Sequence, residues 1–375
     1  VGAPEVYPAT ALQRLTSSVI RQHPELLTTM TRRYGHPEFR AILAKRAASR
    51  GMQLRPDQIT VTHGCMEAIT LALRALCQPG DTVAVESPSF YGALQALEAL
   101  GLRPLELPTS PSTGLSVEAL AMALDAPSQP GQHGPIRALL LMPTVHNPLG
   151  CSMPEANKRA VLQLCTEHGV PIIEDDIYAE MGPASAHSQP IKALDVQGQV
   201  IHCGSLNKTL APGMRVGWMS AGRWQARVEM LKYSQSRFPD ELGQIALARY
   251  MASSAYDRYL RRLQQEMRTR RQTMSDCIAR HFGDQVKVNP PEGGMFLWLE
   301  LPAGTSAMQL GQDALTRGVH IAPGPLFSSQ PRMDRFVRLS AGMSTPQAMD
   351  EGIGILAELT RAQHARLAPQ REQVH

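Results

Sequence analysis

The segment VIHCGSLNKTLAPGMRVGW, residues 200–218, places a lysine and an arginine in the turn that follows a short β-rich run. Residues 200–203 read as a strand, and Gly204 and Ser205 open a turn of small residues from which Lys208 emerges. Pro212 and Gly213 break regular structure before Arg215, and residues 216–220 read as the next strand. Working outward, similar runs lie at 59–62, 82–86, 138–142 and 172–174, several of them followed by longer patterns of helical period. Such alternation predicts an α/β fold built on a mostly parallel sheet. Several runs are almost wholly apolar, which fits strands covered by helices on both faces. Candidate ligand residues then belong just beyond the carboxyl ends of the strands.

With 375 residues the chain exceeds what one core usually serves, so a second, smaller domain is expected. Residues 223–280 read as a long, charged helix pair with an Arg-rich run at 259–271, a solvated connector. After it, short strands at 295–301, 319–322 and 336–340 mix with helical segments, as in a small α+β domain. Pro and Gly cluster at 129–135 and 182–190, which read as surface loops.

Hydrophobic residues make up 43% and charged residues 19%, and no apolar run approaches the roughly 18 residues of a membrane span. A soluble protein with no membrane partner is expected. The net charge of +4 is spread along the chain instead of forming a basic stripe, so no nucleic acid is expected to bind this chain itself. Cys65, Cys77, Cys151, Cys165, Cys203 and Cys277 form no Cys-x-x-Cys pair and lie in apolar stretches, as reduced core residues do. With no signal-peptide pattern, the cytoplasm is the expected compartment. The first residue is Val1, and residues 1–8 show no secondary-structure run, so a piece of a longer protein is expected.

A loop lysine is ordinarily a surface residue. Ser205 and Arg215 on either side of Lys208 change that reading, because a hydroxyl and a guanidinium are what holds a phosphate beside a Schiff base. This segment resembles the lysine motif of the pyridoxal 5'-phosphate (PLP) dependent fold type I aminotransferases of class I/II. The resemblance implies that Lys208 carries the cofactor as an internal aldimine, with Ser205 and Arg215 on its phosphate.

Further segments resemble the same family in order. IIEDDIYAE, 172–180, matches its Asp-x-x-Tyr, which implies Asp175 on the ring nitrogen and Tyr178 on the phenolic oxygen, with Asp176 left as an ordinary strand-end acid. The turn His146 to Gly150 resembles Asn-Pro-x-Gly and implies that Asn147 donates to the same oxygen. ITVTHGCMEAITLALRAL, 59–76, reads strand, glycine, helix, a turn that aims backbone N–H groups at an anion. Gly64, Cys65 and Met66 are the phosphate cradle by that reading. In ESPSFYGAL, 86–94, the resemblance makes Phe90 the ring that stacks on the cofactor, with Tyr91 second. Tyr34 resembles the tyrosine that reaches the phosphate of a neighbouring subunit, which implies a homodimer. Arg338 in FVRLSAG matches the arginine that grips the substrate's α-carboxylate with its planar fork, and Gly2 lies in a Gly-x-Pro segment like that of the substrate entrance.

Together these imply the three-layer PLP transferase fold. Residues 1–40 would pack on the small domain and dimer interface, 41–280 form the large cofactor domain, and 281–375 the small one. The implied reaction passes an amino group between an amino acid and a 2-oxo acid in ping-pong fashion, with Lys208 as anchor and general base. Residues 248–271, 200–218 and 174–181 most resemble two branches: 2-aminoadipate-type aminotransferases, and the aminotransferase-like effector domains of MocR regulators of the GntR family. In the second branch DNA would be a partner only through an upstream winged-helix domain. No Gly-x-Gly-x-x-Gly follows a strand, no Gly-x-x-x-x-Gly-Lys occurs, and no zinc-ligand spacing is present.

Overall fold

The computed structural model describes residues 2–126, 134–182 and 189–371, so most of the two loop readings at 129–135 and 182–190 lies outside the described residues. The main sheet is built from β1 (Thr60–Thr62), β2 (Thr82–Ser87), β3 (Arg103–Ser110), β4 (Gly114–Leu115), β5 (Ile136–Leu141), β6 (Ile172–Asp175), β7 (Val200–Ser205) and β8 (Gly217–Ser220). Its spatial order is β1-β8-β7-β6-β5-β2-β3-β4. Neighbours from β7 through β3 pair in parallel, whereas β8 is antiparallel to both β7 and β1. The helices are α1 (Ala9–Gln22), α2 (Pro37–Ala48), α3 (Cys65–Leu76), α4 (Tyr91–Ala99), α5 (Val117–Asp125), α6 (Glu155–Glu167), α7 (Gln225–Gln235), α8 (Glu241–Met251), α9 (Ser254–Phe282), α10 (Ala307–Thr316) and α11 (Pro346–Arg371).

Alternate residues of each central strand enter different cores, as the period of two requires. Val83, Val85, Ala138, Leu140, Ile173 and Ile201 pack with Ile69, Ala72 and Leu73 of α3. Their neighbours Ala84, Leu139, Leu141, Ile172 and Val200 pack on the opposite side with Leu120 of α5 and Val161 of α6. Helix, sheet and helix thus form three layers, and each buried aliphatic side chain contributes about 1.5–3 kcal/mol.

A second, antiparallel sheet has the order β11-β12-β10-β9, from β9 (Lys287–Val288), β10 (Phe296–Glu300), β11 (Ala322–Pro323) and β12 (Phe336–Ser340). Its core joins Leu297, Leu299, Val337 and Leu339 to α10, α11 and the last turns of α9.

The connector reading at 223–280 requires correction. That span holds α7, α8 and α9, and much of it is buried. On α9, Tyr256, Tyr259, Leu260, Leu263, Met267, Met274, Cys277, Ile278 and Phe282 recur at helical spacing and face inward, while the arginines of the run mostly occupy the other side. Helix α8 is buried on nearly every side because its polar residues have partners: Glu241 accepts the backbone N–H of Arg32 at 2.6 Å, and Gln244 that of His36 at 2.7 Å. All six cysteines are buried free thiols. Among the described residues, no helix is long and apolar enough to cross a membrane.

Candidate active site

Beyond the carboxyl ends of β5, β6 and β7 lies a cavity of about 130 Å³. Cys65 and Met66 enter it from the first turn of α3, Phe90 from the residue preceding α4, and Asn147 from the loop after β5. Asp175 ends β6 and Tyr178 follows it, and Asn207, Lys208 and Arg215 come from the segment joining β7 to β8. One feature of the fold therefore gathers residues spread over 150 positions: parallel strands all deliver their following loops to one edge.

Gly64 caps α3 with φ +85, a left-handed conformation that favours glycine. A Cβ there would stand 2.8 Å from Asn207 Nδ2 and 3.3 Å from an Arg215 guanidinium nitrogen. The helix N-terminus, the amide and the guanidinium thus converge on one point, and an anion suits all three. Arg215 itself holds φ +55 and remains exposed. Asn207, buried at 6% exposure, has no hydrogen-bond partner for its Oδ1.

Asp175, lining the same cavity, is buried, and burial pushes its carboxyl up to about 6 from the ordinary 3.8. Its Oδ1 accepts the Cys65 thiol and the backbone N–H of Ile177, each at 3.2 Å. Lys208 Nζ lies 5.8 Å from the centre of the Tyr178 ring. Burial and then the positive charge of Arg338 press the Lys208 ammonium below its usual value, enlarging the neutral, nucleophilic fraction. Burial also raises the Tyr178 phenol, which therefore stays protonated as a donor.

Arg338 reaches this region from β12 and donates to Asn147 Oδ1 at 2.9 Å. Its guanidinium lies 4.2 Å from the centre of the Phe296 ring, 5.1 Å from Phe327 and 5.5 Å from Tyr91, and its Nε has no partner. A cation held by aromatic faces with a donor to spare is suited to a carboxylate. Tyr91, second to Phe90 in the sequence reading, thus stands beside Arg338.

Two sequence-derived candidates lie elsewhere. Ser205 donates its hydroxyl to Val216 O at 2.9 Å and lines a separate cavity of about 200 Å³ with Asp176, His202 and Thr209. Tyr34 pairs its backbone with Val61 and has the guanidinium groups of Arg33 and Arg40 within 6 Å of its ring, outside the Lys208 cavity. Gly2 is buried, and its N–H donates to the Tyr7 hydroxyl at 2.7 Å, which in turn donates to Lys208 O at 3.3 Å. Tyr7 and Asn207 escaped the sequence reading. Asn207 adjoins Lys208 in sequence, but nothing in its spacing tells a cavity amide from a turn residue.

The family model for aminotransferase class I and II matches residues 7–356. The chain belongs to this family. Among its relatives, an uncharacterized HTH-type transcriptional regulator, YdcR of Escherichia coli, is 34% identical over 356 residues, covering 95% of this chain and 75% of the regulator. Aromatic-amino-acid aminotransferase 1 of Thermococcus litoralis is 28% identical over 95% of this chain and 85% of its own length. The crystal structure of LysN, the α-aminoadipate aminotransferase of Thermus thermophilus, superposes with a TM-score of 0.89 at 27% identity, covering 97% of this chain and 91% of LysN. That LysN structure is complexed with N-(5'-phosphopyridoxyl)-L-leucine. Class I and II aminotransferase architecture thus extends through both sheets of the chain.

Proposed function

We propose that this chain transfers an amino group between an amino acid and a 2-oxo acid, using PLP held at Lys208. The observation that carries this is the convergence of Lys208, Asp175, Tyr178, Asn147 and Arg215 on a single cavity edge. The orphaned Asn207 Oδ1 and Arg338 Nε, together with the cradle that a Cβ on Gly64 would fill, support the fit of a phosphorylated, charged ring and its carboxylate substrate. When bound, PLP supplies an electron sink conjugated to the α-carbon of the amino acid.

The chain's own groups then divide the work. Arg215, Asn207 and the first N–H groups of α3 would hold the phosphate. Asp175, anionic above about pH 6, would keep a proton on the ring nitrogen. Tyr178 and Asn147 would donate to the ring's phenolic oxygen. Arg338 would orient the substrate through its carboxylate. Lys208 Nζ, as the tethering amine and then as a free base, would move the proton at the substrate's α-carbon. Met142, Phe90, Ile177 and the Tyr178 ring line the cavity with apolar surface, which strengthens each charge contact by excluding water.

The purified protein mixed with PLP should develop the visible absorption of a lysine-linked cofactor. Lys208→Ala should abolish that band and all turnover of an amino-acid panel with 2-oxoglutarate. A wild-type protein that remains colourless would overturn the assignment. The 34% identity to YdcR favours a second reading, an effector-sensing domain of a regulator. In that case amino acids should shift the same band with negligible formation of 2-oxo acid.

A further inference from the structure

We infer that Cys65 is a positioning residue for the proposed cofactor site: its thiol anchors one oxygen of Asp175 so that the other is left for the ring nitrogen. The inference rests on the function proposed above. Cys65 opens α3 directly after Gly64, and both it and Asp175 line the cavity while remaining almost fully buried. The thiol, from α3, and the Ile177 N–H, from the segment that follows Asp175 itself, both fall on Oδ1 at 3.2 Å each. Among the described residues no donor occupies Oδ2. The carboxylate is therefore pinned in rotation with one lone-pair face unspent.

The chemistry suits a thiol. Burial and the adjacent Asp175 charge push the Cys65 thiol well above its usual range, so it stays protonated as a donor. A thiol is also a weak donor, so it fixes the direction of Asp175 without taking much of its basicity. Of the other ionisable groups around this carboxylate, Cys203 sits opposite on β7, Asp176 follows on the same segment, and Lys208 projects from the turn beyond β7. Cys65 alone among them is shown donating to it.

The test is a pH titration of the visible band of the reconstituted protein, together with the PLP dissociation constant from fluorescence quenching. Cys65→Ala and Cys65→Val remove the donor, the second while filling the thiol's place, and either decides the matter if the other fails to fold. Loss of one hydrogen bond should loosen Asp175 on the ring proton, which leaves the lysine linkage more basic. The band's midpoint should rise by about half to one pH unit, with a several-fold weaker PLP complex. Cys65→Ser, which keeps a donor, should return most of the way to wild type. Cys277→Ala, a buried thiol of the small-sheet core, should match wild type throughout. Midpoints for the Ala and Val variants equal to wild type would overturn the positioning role while leaving the cofactor assignment standing. A wild-type protein without the band would instead remove the function on which it rests.

Discussion

Asp175 and Asp176 are neighbours in sequence with opposite electrostatic settings. Burial raises Asp175, because its local partners are a weak thiol and one N–H. Burial opposes ionisation of Asp176 too, yet the guanidinium of Arg50 and the ring of His202 hold it well below the ordinary carboxylate range. The first arrangement costs stability at neutral pH. A carboxyl that titrates near 6 when folded and near 3.8 when unfolded favours the folded state most below pH 4, and that contribution is lost as pH rises through 6. Two pH units correspond to about 3 kcal/mol, an upper figure for the cost of the buried anion. Asp175→Asn removes the charge and keeps the shape. The cofactor-free variant is expected to melt a few °C above wild type at pH 8, with the gain vanishing near pH 4, while turnover with PLP is lost. Melting curves of both proteins across that range check the sign, and a variant less stable at pH 8 would refute it.

At the scale of elements, the first turn of α3 depends on a close approach of backbones. A Cβ on Gly217 of β8 would stand 2.6 Å from Gly64 C, 2.8 Å from Gly64 Cα and 2.9 Å from Gly204 O, all main-chain atoms that cannot swing aside. Gly217→Ala should therefore displace the start of α3, destabilise the protein by roughly 1–3 kcal/mol and weaken PLP binding. Gly80→Ala is the control: its φ is +92 but nothing lies within 4 Å, so only a backbone cost near 1 kcal/mol is expected, with PLP affinity unchanged. Melting and PLP titration of the two variants separate the effects. Such approaches are silent in sequence, whereas strand ends speak clearly. The apolar runs before Asn147, Asp175 and Lys208 made the edge of the parallel sheet legible, and the structure brings those three residues together. By contrast, β3, whose sequence RPLELPTS holds two prolines and a mix of charges, escaped notice because its outer edge pairs with β4 only at Thr109 and Ser110. Burial of α8 was equally hidden, since Glu241 and Gln244 look like solvent residues until their backbone partners near Arg32 and His36 are known.

For the whole molecule, the cavity wall is tied to remote helices by charge that is buried at Asp176 and half-buried at Glu180. Arg50, just past α2, and His202 of β7 both bind Asp176, the latter at 2.8 Å. Arg46 of α2 bonds Glu180 at 3.3 Å and Asp257 of α9 at 3.2 Å, and the Tyr256 hydroxyl donates to Glu180 at 2.7 Å. The loop after β6, which carries Tyr178 into the site, is thus fastened at Asp176 and Glu180 to α2, β7 and α9. Removing one carboxylate from such a buried set costs more than the set itself contributes, because its partners stay behind with their charge. Asp176→Asn should lower unfolding stability by about 3–5 kcal/mol and shift the urea midpoint accordingly. Because Asp176 is depressed in the folded state, its contribution is present above pH 4 and lost as pH falls, so the gap between variant and wild type should narrow below pH 4. Asp57→Asn breaks the exposed pair with Arg55 and should leave the midpoint where it was. A cost for Asp176→Asn that is no larger than that of Asp57→Asn, or that stays constant between pH 8 and pH 3, would show that the charges around Asp176 do not fasten the site to the fold.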